Sequence, residues 1–134
     1  MGYARVMDLG DLVSGSPFVC GPDTDLVEVA TVMAARGYGS AGVVDGRTLL
    51  GVITERDLVR AIAAGADMAD EPVRRWMSTD PDVFDSRTDL FEAAEWLIES
   101  GYRHLPVVGS SGDLKGIVSL RDLLASILEA LEEE

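Results

Sequence analysis

The chain repeats itself. Gly51-Val52-Ile53-Thr54-Glu55-Arg56-Asp57-Leu58 returns 65 positions later as Gly116-Ile117-Val118-Ser119-Leu120-Arg121-Asp122-Leu123, and self-similarity at a fixed period marks one structural unit used twice. Upstream the spacing is 64, since Pro17, Val19, Asp25, Leu26, Ala30, Gly37, Tyr38, Val43 and Val44 meet Pro81, Val83, Asp89, Leu90, Ala94, Gly101, Tyr102, Val107 and Val108. The additional residue falls between Val108 and Gly116. There Gly109-Ser110-Ser111-Gly112-Asp113 has the composition of an exposed turn, opposite Asp45-Gly46-Arg47 in the first copy. In a chain of 134 residues, each copy holds about 60, too few for a secure core by surface-to-volume scaling. The two copies are therefore expected to share one core in a single pseudo-symmetric α/β body.

Within each copy the pattern reads strand, helix, strand, turn, strand, helix. Asp25 stands where a helix N-cap belongs, ahead of Leu26, Val29, Ala30 and Met33 at helical spacing, and Gly37 ends the run; Asp89, then Leu90, Ala93, Ala94 and Leu97, and Gly101 repeat the arrangement. Short strands follow around Val43 to Val44 and Leu105 to Val108, then Leu49 to Ile53 and Leu114 to Val118. Closing helices are predicted from Glu55 to Ala64 and Leu120 to Glu132. These readings divide the chain into repeat 1 at 8–66, a connecting segment at 67–77, repeat 2 at 78–131 and an acidic tail at 132–134. The connecting segment holds a short helix with Pro72 near its start and Trp76-Met77 turned inward. Leu12-Val13-Ser14 matches Trp76-Met77-Ser78, so both copies open with a similar lead-in.

The closing helices are apolar over a wide arc. Leu58, Ile62, Leu123 and Ile127 form one stripe, and Val59, Ala63, Leu124 and Leu128 a second beside it. A small domain wraps one such stripe in its own core; two adjacent stripes in both copies point to a homodimer.

Charge excludes some partners. The chain carries 24 acids against 11 bases, a formal net charge of −13, and such a field repels a nucleic-acid duplex or an anionic membrane. Neither an apolar run of membrane-spanning length nor a basic-then-apolar start is present, so a cytoplasmic location is expected. The single cysteine, Cys20, permits no internal disulfide and sits in an apolar segment, as a packed thiol does. One histidine, one cysteine, no nucleophile elbow and no phosphate-cradling glycine loop leave no visible catalytic apparatus, and an enzyme is not expected.

The repeated octapeptide carries the chemistry. A Thr or Ser closing a buried strand, with Asp three residues on, is a complete capping box: the hydroxyl accepts a first-turn N–H while the acid reaches back. The same arrangement also suits a ligand. A helix N-terminus with a hydroxyl and the guanidinium of Arg56 or Arg121 suits phosphate, and an acid such as Asp57 or Asp122 accepts the two neighbouring hydroxyls of a ribose. Phosphate plus ribose means a nucleotide.

These two octapeptides, the preceding Gly-Tyr-x-x-x-x-Val-Val pattern and the copy length resemble cystathionine-β-synthase (CBS) domains. The resemblance covers both copies, from about Leu12 to Leu128. It implies a tandem pair, or Bateman module: two pseudo-twofold-related β-α-β-β-α repeats packed through their sheets, with clefts for adenosine-containing ligands. In particular the chain resembles small stand-alone bacterial CBS pairs that form dimers.

The resemblance further implies a non-catalytic sensor that requires no cofactor and takes AMP, ADP or ATP, or else NAD or S-adenosylmethionine, as ligand. AMP or ATP is favoured. A protein partner regulated in trans would read the signal. By position, Asp57 and Asp122 would hold ribose hydroxyls, Thr54 and Ser119 phosphate or ribose, and Arg56 and Arg121 phosphate or an interface. Val19 and Cys20 in the first copy, and Val83 and Phe84 in the second, would line the base, and Tyr38 is a further nucleotide-binding candidate. Arg103-His104 places a basic group before the second copy's strand where the family sets one against phosphate, whereas the first copy has Gly39-Ser40-Ala41-Gly42. The Ser119 site is therefore predicted to bind nucleotide better, unless Arg36, Arg47 or Lys115 serves the first. His104 is also a candidate pH sensor. Asp80, Asp82 and Asp85 read as a solvated loop, without the glycine and distal glutamate of a calcium loop. The competing reading is a dimeric interaction module that keeps the fold without nucleotide, its Thr or Ser to Asp pairs serving only as caps.

Overall fold

The structure, a computed structural model, describes residues 7–13 and 15–132. Ser14 of the first lead-in and Glu133-Glu134 of the acidic tail lie outside the described residues. The chain divides into two compact units. One, the Thr54 unit, is Phe18–Pro81; the other, the Ser119 unit, joins Asp82 onward to the segment ending at Pro17.

In the Thr54 unit, β1 (Val19–Cys20), β2 (Ser40–Asp45), β3 (Thr48–Thr54) and β4 (Ser78–Thr79) form one sheet in that order, beside α1 (Leu26–Arg36) and α2 (Glu55–Ala63). The Ser119 unit has β5 (Phe84–Asp85), β6 (His104–Val108) and β7 (Leu114–Ser119), with α3 (Leu90–Ser100) and α4 (Leu120–Glu132). Each first strand runs parallel to the second, which pairs antiparallel with the third. A register shift falls between Val43 and Val44, and again at the equivalent Val107 and Val108. No described helix is long and apolar enough to cross a membrane.

Periodicity made these elements. Leu26, Val29 and Met33 turn one face of α1 into the core, and Leu90, Ala93 and Leu97 do so for α3. Gly37 and Gly101 end the helices in the left-handed region, at φ 72 and 77, donating N–H to Met33 and Leu97 carbonyls. The N-caps differ. Asp89 accepts from the N–H groups of Phe91 and Glu92 at 3.0 and 3.3 Å. Asp25 makes no such bond with its side chain, because Leu26 and Val27 donate instead to the carbonyls of Glu71 and Met68, at 3.0 and 2.8 Å, in the connecting segment.

The lead-ins are exchanged. The 3-10 turn Leu9–Leu12, which opens the first copy in sequence, packs in the Ser119 unit, where Leu9 and Gly10 donate to the carbonyls of Thr88 and Ser86. Its counterpart Val73–Arg75, preceded by Pro72, packs in the Thr54 unit, where Val73 and Arg74 donate to Thr24 and Pro22. Leu9 and Val73 are fully buried, each burial adding about 1.5–3 kcal/mol. Among the described residues the buried apolar side chains, Val52 and Ala130 apart, accordingly form two clusters, one in each unit, where copy size predicts one shared core. Each copy gains the missing apolar surface from a segment that opens the other in sequence. Trp76 and Met77 pack half-buried against the Thr54 unit's cluster.

The exchange explains the glycine that leads the octapeptide. A Cβ on Gly51 would collide with the Ser78 carbonyl oxygen and lie 2.8 Å from Met77 Sδ; one on Gly116 would lie 2.7 Å from Val13 Cγ1. Both glycines let the arriving lead-in approach the backbone closely.

Candidate functional site

The end of each hairpin away from its turn gathers the residues of interest. In the Thr54 unit, Ser40 opens β2 opposite Thr54, which closes β3. The Phe18 carbonyl accepts from Gly42 N–H at 3.1 Å, and Glu55 N–H donates to the Gly39 carbonyl at 3.1 Å, fixing the helix start to the sheet. The Phe18 and Tyr38 rings stack with centroids 5.3 Å apart. Val19 is exposed, while Cys20, the next residue and so on the other face of the strand, packs on the core. Burial, aided by the Glu28 carboxylate, pushes the Cys20 thiol up to about 11.

At the start of α2 the capping box is complete. Thr54 Oγ1 accepts from Asp57 N–H at 3.3 Å, while Asp57 Oδ2 accepts from Thr54 N–H at 2.8 Å and from Thr54 Oγ1 at 3.0 Å. The other carboxylate oxygen, Oδ1, accepts from Arg60 Nη2. Asp57 is 3 % exposed, and Arg56 beside it is exposed. A buried carboxylate with this many donors is a settled part of the helix start.

The Ser119 unit repeats the frame with a different filling. His104 opens β6 opposite Ser119, and Leu120 N–H donates to the Arg103 carbonyl at 2.8 Å. Ser119 Oγ accepts from Asp122 N–H at 3.1 Å. The reciprocal half of the box is missing: among the described residues the exposed Asp122 carboxylate accepts no hydrogen bond, whereas both halves were expected from sequence. Arg103 and Arg121 are exposed, giving this end two cations next to an open hydroxyl and helix start.

The base-lining positions divide by face. Val83 is exposed, but it precedes β5, which pairs from Phe84 onward, whereas the repeat pattern places it in the strand as the counterpart of Val19. Gly42 N–H makes the corresponding bond in the first copy, and Pro106 stands at the equivalent position without an N–H to give. Phe84 packs on the core and meets Trp96 edge-on at 4.9 Å, and Trp96 stacks on the exposed Tyr102 at 5.6 Å. The sequence pattern marks Phe84 but neither Trp96 nor Arg60. The i, i+3 spacing of Asp57 and Arg60 could have revealed the pair.

Of the further cations, Arg36 ends α1 on the approach to Tyr38 and Ser40. Arg47 lies in the hairpin turn, at the far end of β3 from Thr54. The Lys115 stem lies against Gly109, beside the turn of its own hairpin. In the acidic loop, Asp85 accepts from the backbone N–H and Nε of Arg87, which hold its carboxyl below the usual range.

Comparison with known proteins places this geometry. The sequence profile of the CBS domain matches residues 9–64 and again 73–129. An uncharacterized protein of Acidianus ambivalens is 37% identical over 113 residues, covering 84% of this chain and 68% of that protein. A CBS domain protein of Pyrobaculum aerophilum, solved complexed with AMP, superposes with a TM-score of 0.83 at 28% identity, over 94% of this chain and 99% of that one. CBSX2, also solved in complex with AMP, gives 0.75 at 26% identity over 92% and 97%. Two copies of one β-α-β-β-α frame, each closing a strand with a hydroxyl over a helix start, make this chain a tandem pair of CBS domains and a member of the CBS family.

Proposed function

We propose that the chain is a non-catalytic sensor that binds an adenosine-containing nucleotide, of the AMP, ADP and ATP class, at the helix starts of its two repeats, 8–66 and 78–131. One observation carries the reading. Both units set a hydroxyl, an arginine and an acid in the same register at the N-terminus of a helix, where phosphate and ribose find complementary groups. The AMP held by two structural relatives supports the same class of ligand.

The Ser119 unit is the stronger site in this proposal, since Arg103, Arg121 and the open Asp122 carboxylate stand where the Thr54 unit has Gly39, Arg56 and a carboxylate already bonded. Titration calorimetry with AMP tests it. Asp122→Ala removes the tighter binding event and Asp57→Ala the weaker; abolition by Asp57→Ala with Asp122→Ala silent reverses the ranking. In thermal unfolding, AMP at a hundredfold excess over Kd stabilises the native state by about 2.7 kcal/mol.

A second reading is favoured by the Thr54 unit alone. Its box is complete without ligand, as in a dimeric interaction module that binds no nucleotide. No thermal shift with AMP, ADP, ATP, NAD or S-adenosylmethionine at millimolar concentration would establish that reading. Both readings include a homodimer, supported by the exposed Val59 and Ile62 on α2 and Leu124, Leu128 and Leu131 on α4.

A further inference from the structure

We infer that Arg60 is a positioning residue that limits the Thr54 unit to a single ribose hydroxyl, an inference that rests on the nucleotide reading above. A carboxylate has two oxygens and about four acceptor positions. In Asp57, Oδ2 already accepts from Thr54 N–H and Thr54 Oγ1, which fills its capacity. Oδ1 accepts from Arg60 Nη2, leaving room for one more donor. A ribose offers two adjacent hydroxyls. While Arg60 stays in place, Asp57 accepts one of them.

The other copy lacks this restraint. The position equivalent to Arg60 is Ala125, and among the described residues the Asp122 carboxylate carries no hydrogen bond or ion pair. Asp122 therefore accepts both hydroxyls. The Arg60 side chain is 66% exposed and belongs to no core cluster, so its replacement changes the carboxylate's partners without opening a cavity. The two units thus differ in what they demand of the sugar: the Ser119 unit reads a complete diol, the Thr54 unit one hydroxyl.

The test compares AMP with its 2′-deoxy and 3′-deoxy forms by calorimetry. Asp57→Ala protein reports the Ser119 unit, and both deoxy forms should bind about tenfold more weakly than AMP, the worth of one hydrogen bond to a charged group. Asp122→Ala protein reports the Thr54 unit, and only one deoxy form should lose affinity. Adding Arg60→Ala to Asp122→Ala should make both deoxy forms weak, with Arg60→Leu, which also has no donor and favours the helix, as a second variant should the alanine change perturb the helix. Arg60→Lys, which keeps a cationic donor, should restore the single-hydroxyl pattern. Adding Ala125→Arg to Asp57→Ala should impose that pattern on the Ser119 unit.

If the Arg60 variants bind AMP with the deoxy pattern unchanged, the assignment of Arg60 is overturned while nucleotide binding stands. If the unaltered protein binds no AMP, the nucleotide reading fails and this inference with it.

Discussion

Replacing the glycine that leads each octapeptide should damage the two units unequally. In Gly51→Ala the new methyl group would collide with the Ser78 carbonyl oxygen and sit 2.8 Å from Met77 Sδ. The carbonyl is backbone, and it belongs to β4, whose pairing places Gly51 opposite Thr79 and Val52 opposite Ser78. Relief therefore requires β4 to move off β3. Overpacking of this kind costs about 1–3 kcal/mol, and loss of a ladder bond adds about 1 kcal/mol. Reduced freedom of the unfolded chain returns about 0.5–1 kcal/mol. The net destabilisation should be about 1–3.5 kcal/mol.

In Gly116→Ala the obstacle is the Val13 side chain, at 2.7 Å to Cγ1 and 3.0 Å to Cβ. A half-buried side chain yields more readily than a backbone carbonyl, so the net cost should stay under about 1 kcal/mol. Urea unfolding followed by far-ultraviolet circular dichroism separates the two, with Gly51→Ala lowering the midpoint well below that of Gly116→Ala. Equal losses, or a larger loss for Gly116→Ala, would refute the claim that the closeness of the exchanged lead-in sets the requirement for glycine.

Further outcomes follow from burial. The folded Cys20 thiol stays protonated to higher pH than an ordinary thiol, near 11 instead of 9.0, so its contribution to stability is whole below pH 9 and is lost as pH rises from there through 11. Cys20→Ala should remove that part of the alkaline loss in pH-dependent unfolding, and alkylation of the folded protein at pH 8 should be much slower than of the unfolded chain. On the helices, Val59 is 65% exposed and Leu128 61%, whereas Leu58 and Leu123 are buried. On the homodimer reading, Val59→Glu and Leu128→Glu should leave the melting temperature of dilute protein within a few degrees and sediment as monomer where the unaltered protein sediments as dimer. Leu123→Ala should cost about 2–5 kcal/mol of folding stability.

The repeat made most of the frame legible. Once the octapeptide is aligned with itself, each helix, strand and turn in one copy serves as a second reading of the other, and Gly37 with Gly101 mark the same stop twice. What was hidden depends on where a segment goes after it leaves its neighbours. Covalent order puts Leu9–Leu12 beside the first copy, and nothing in its composition says that Leu9 is buried in the second copy's unit. Asp25 has the residue type of a cap; its side chain is idle because carbonyls more than 40 positions later take the helix N–H groups. Ile62 has the periodicity of a core residue but is exposed, since Leu58 and Ala61 fill the inner face of a helix only nine residues long. At the candidate site, the hydroxyls and acids were visible as residue types. The state of each carboxylate was not, because the same hydroxyl-to-acid spacing closes both halves of the box at Asp57 and one half at Asp122, and only Asp57 has an arginine three places on, Arg60, where the second copy has Ala125.

The differences between the copies share a direction. Arg60 and the complete box close the Thr54 end, while Ala125, Arg103 and the half-made box leave the Ser119 end open and cationic. Pro106 displaces the first strand's pairing by one residue, to Phe84 with Val107 and Asp85 with Val108 where the first copy pairs Val19 with Gly42 and Cys20 with Val43, and Trp96 fills the place of Val32 with an aromatic surface continued by Tyr102. For a sensor the inequality has a consequence. Two identical independent sites pass from empty to full over one range of ligand concentration; sites separated by about 1.4 kcal/mol differ tenfold in Kd and fill in succession. On the nucleotide reading, low ligand occupies the Ser119 unit alone, and the Thr54 unit responds only at concentrations that have already saturated its twin.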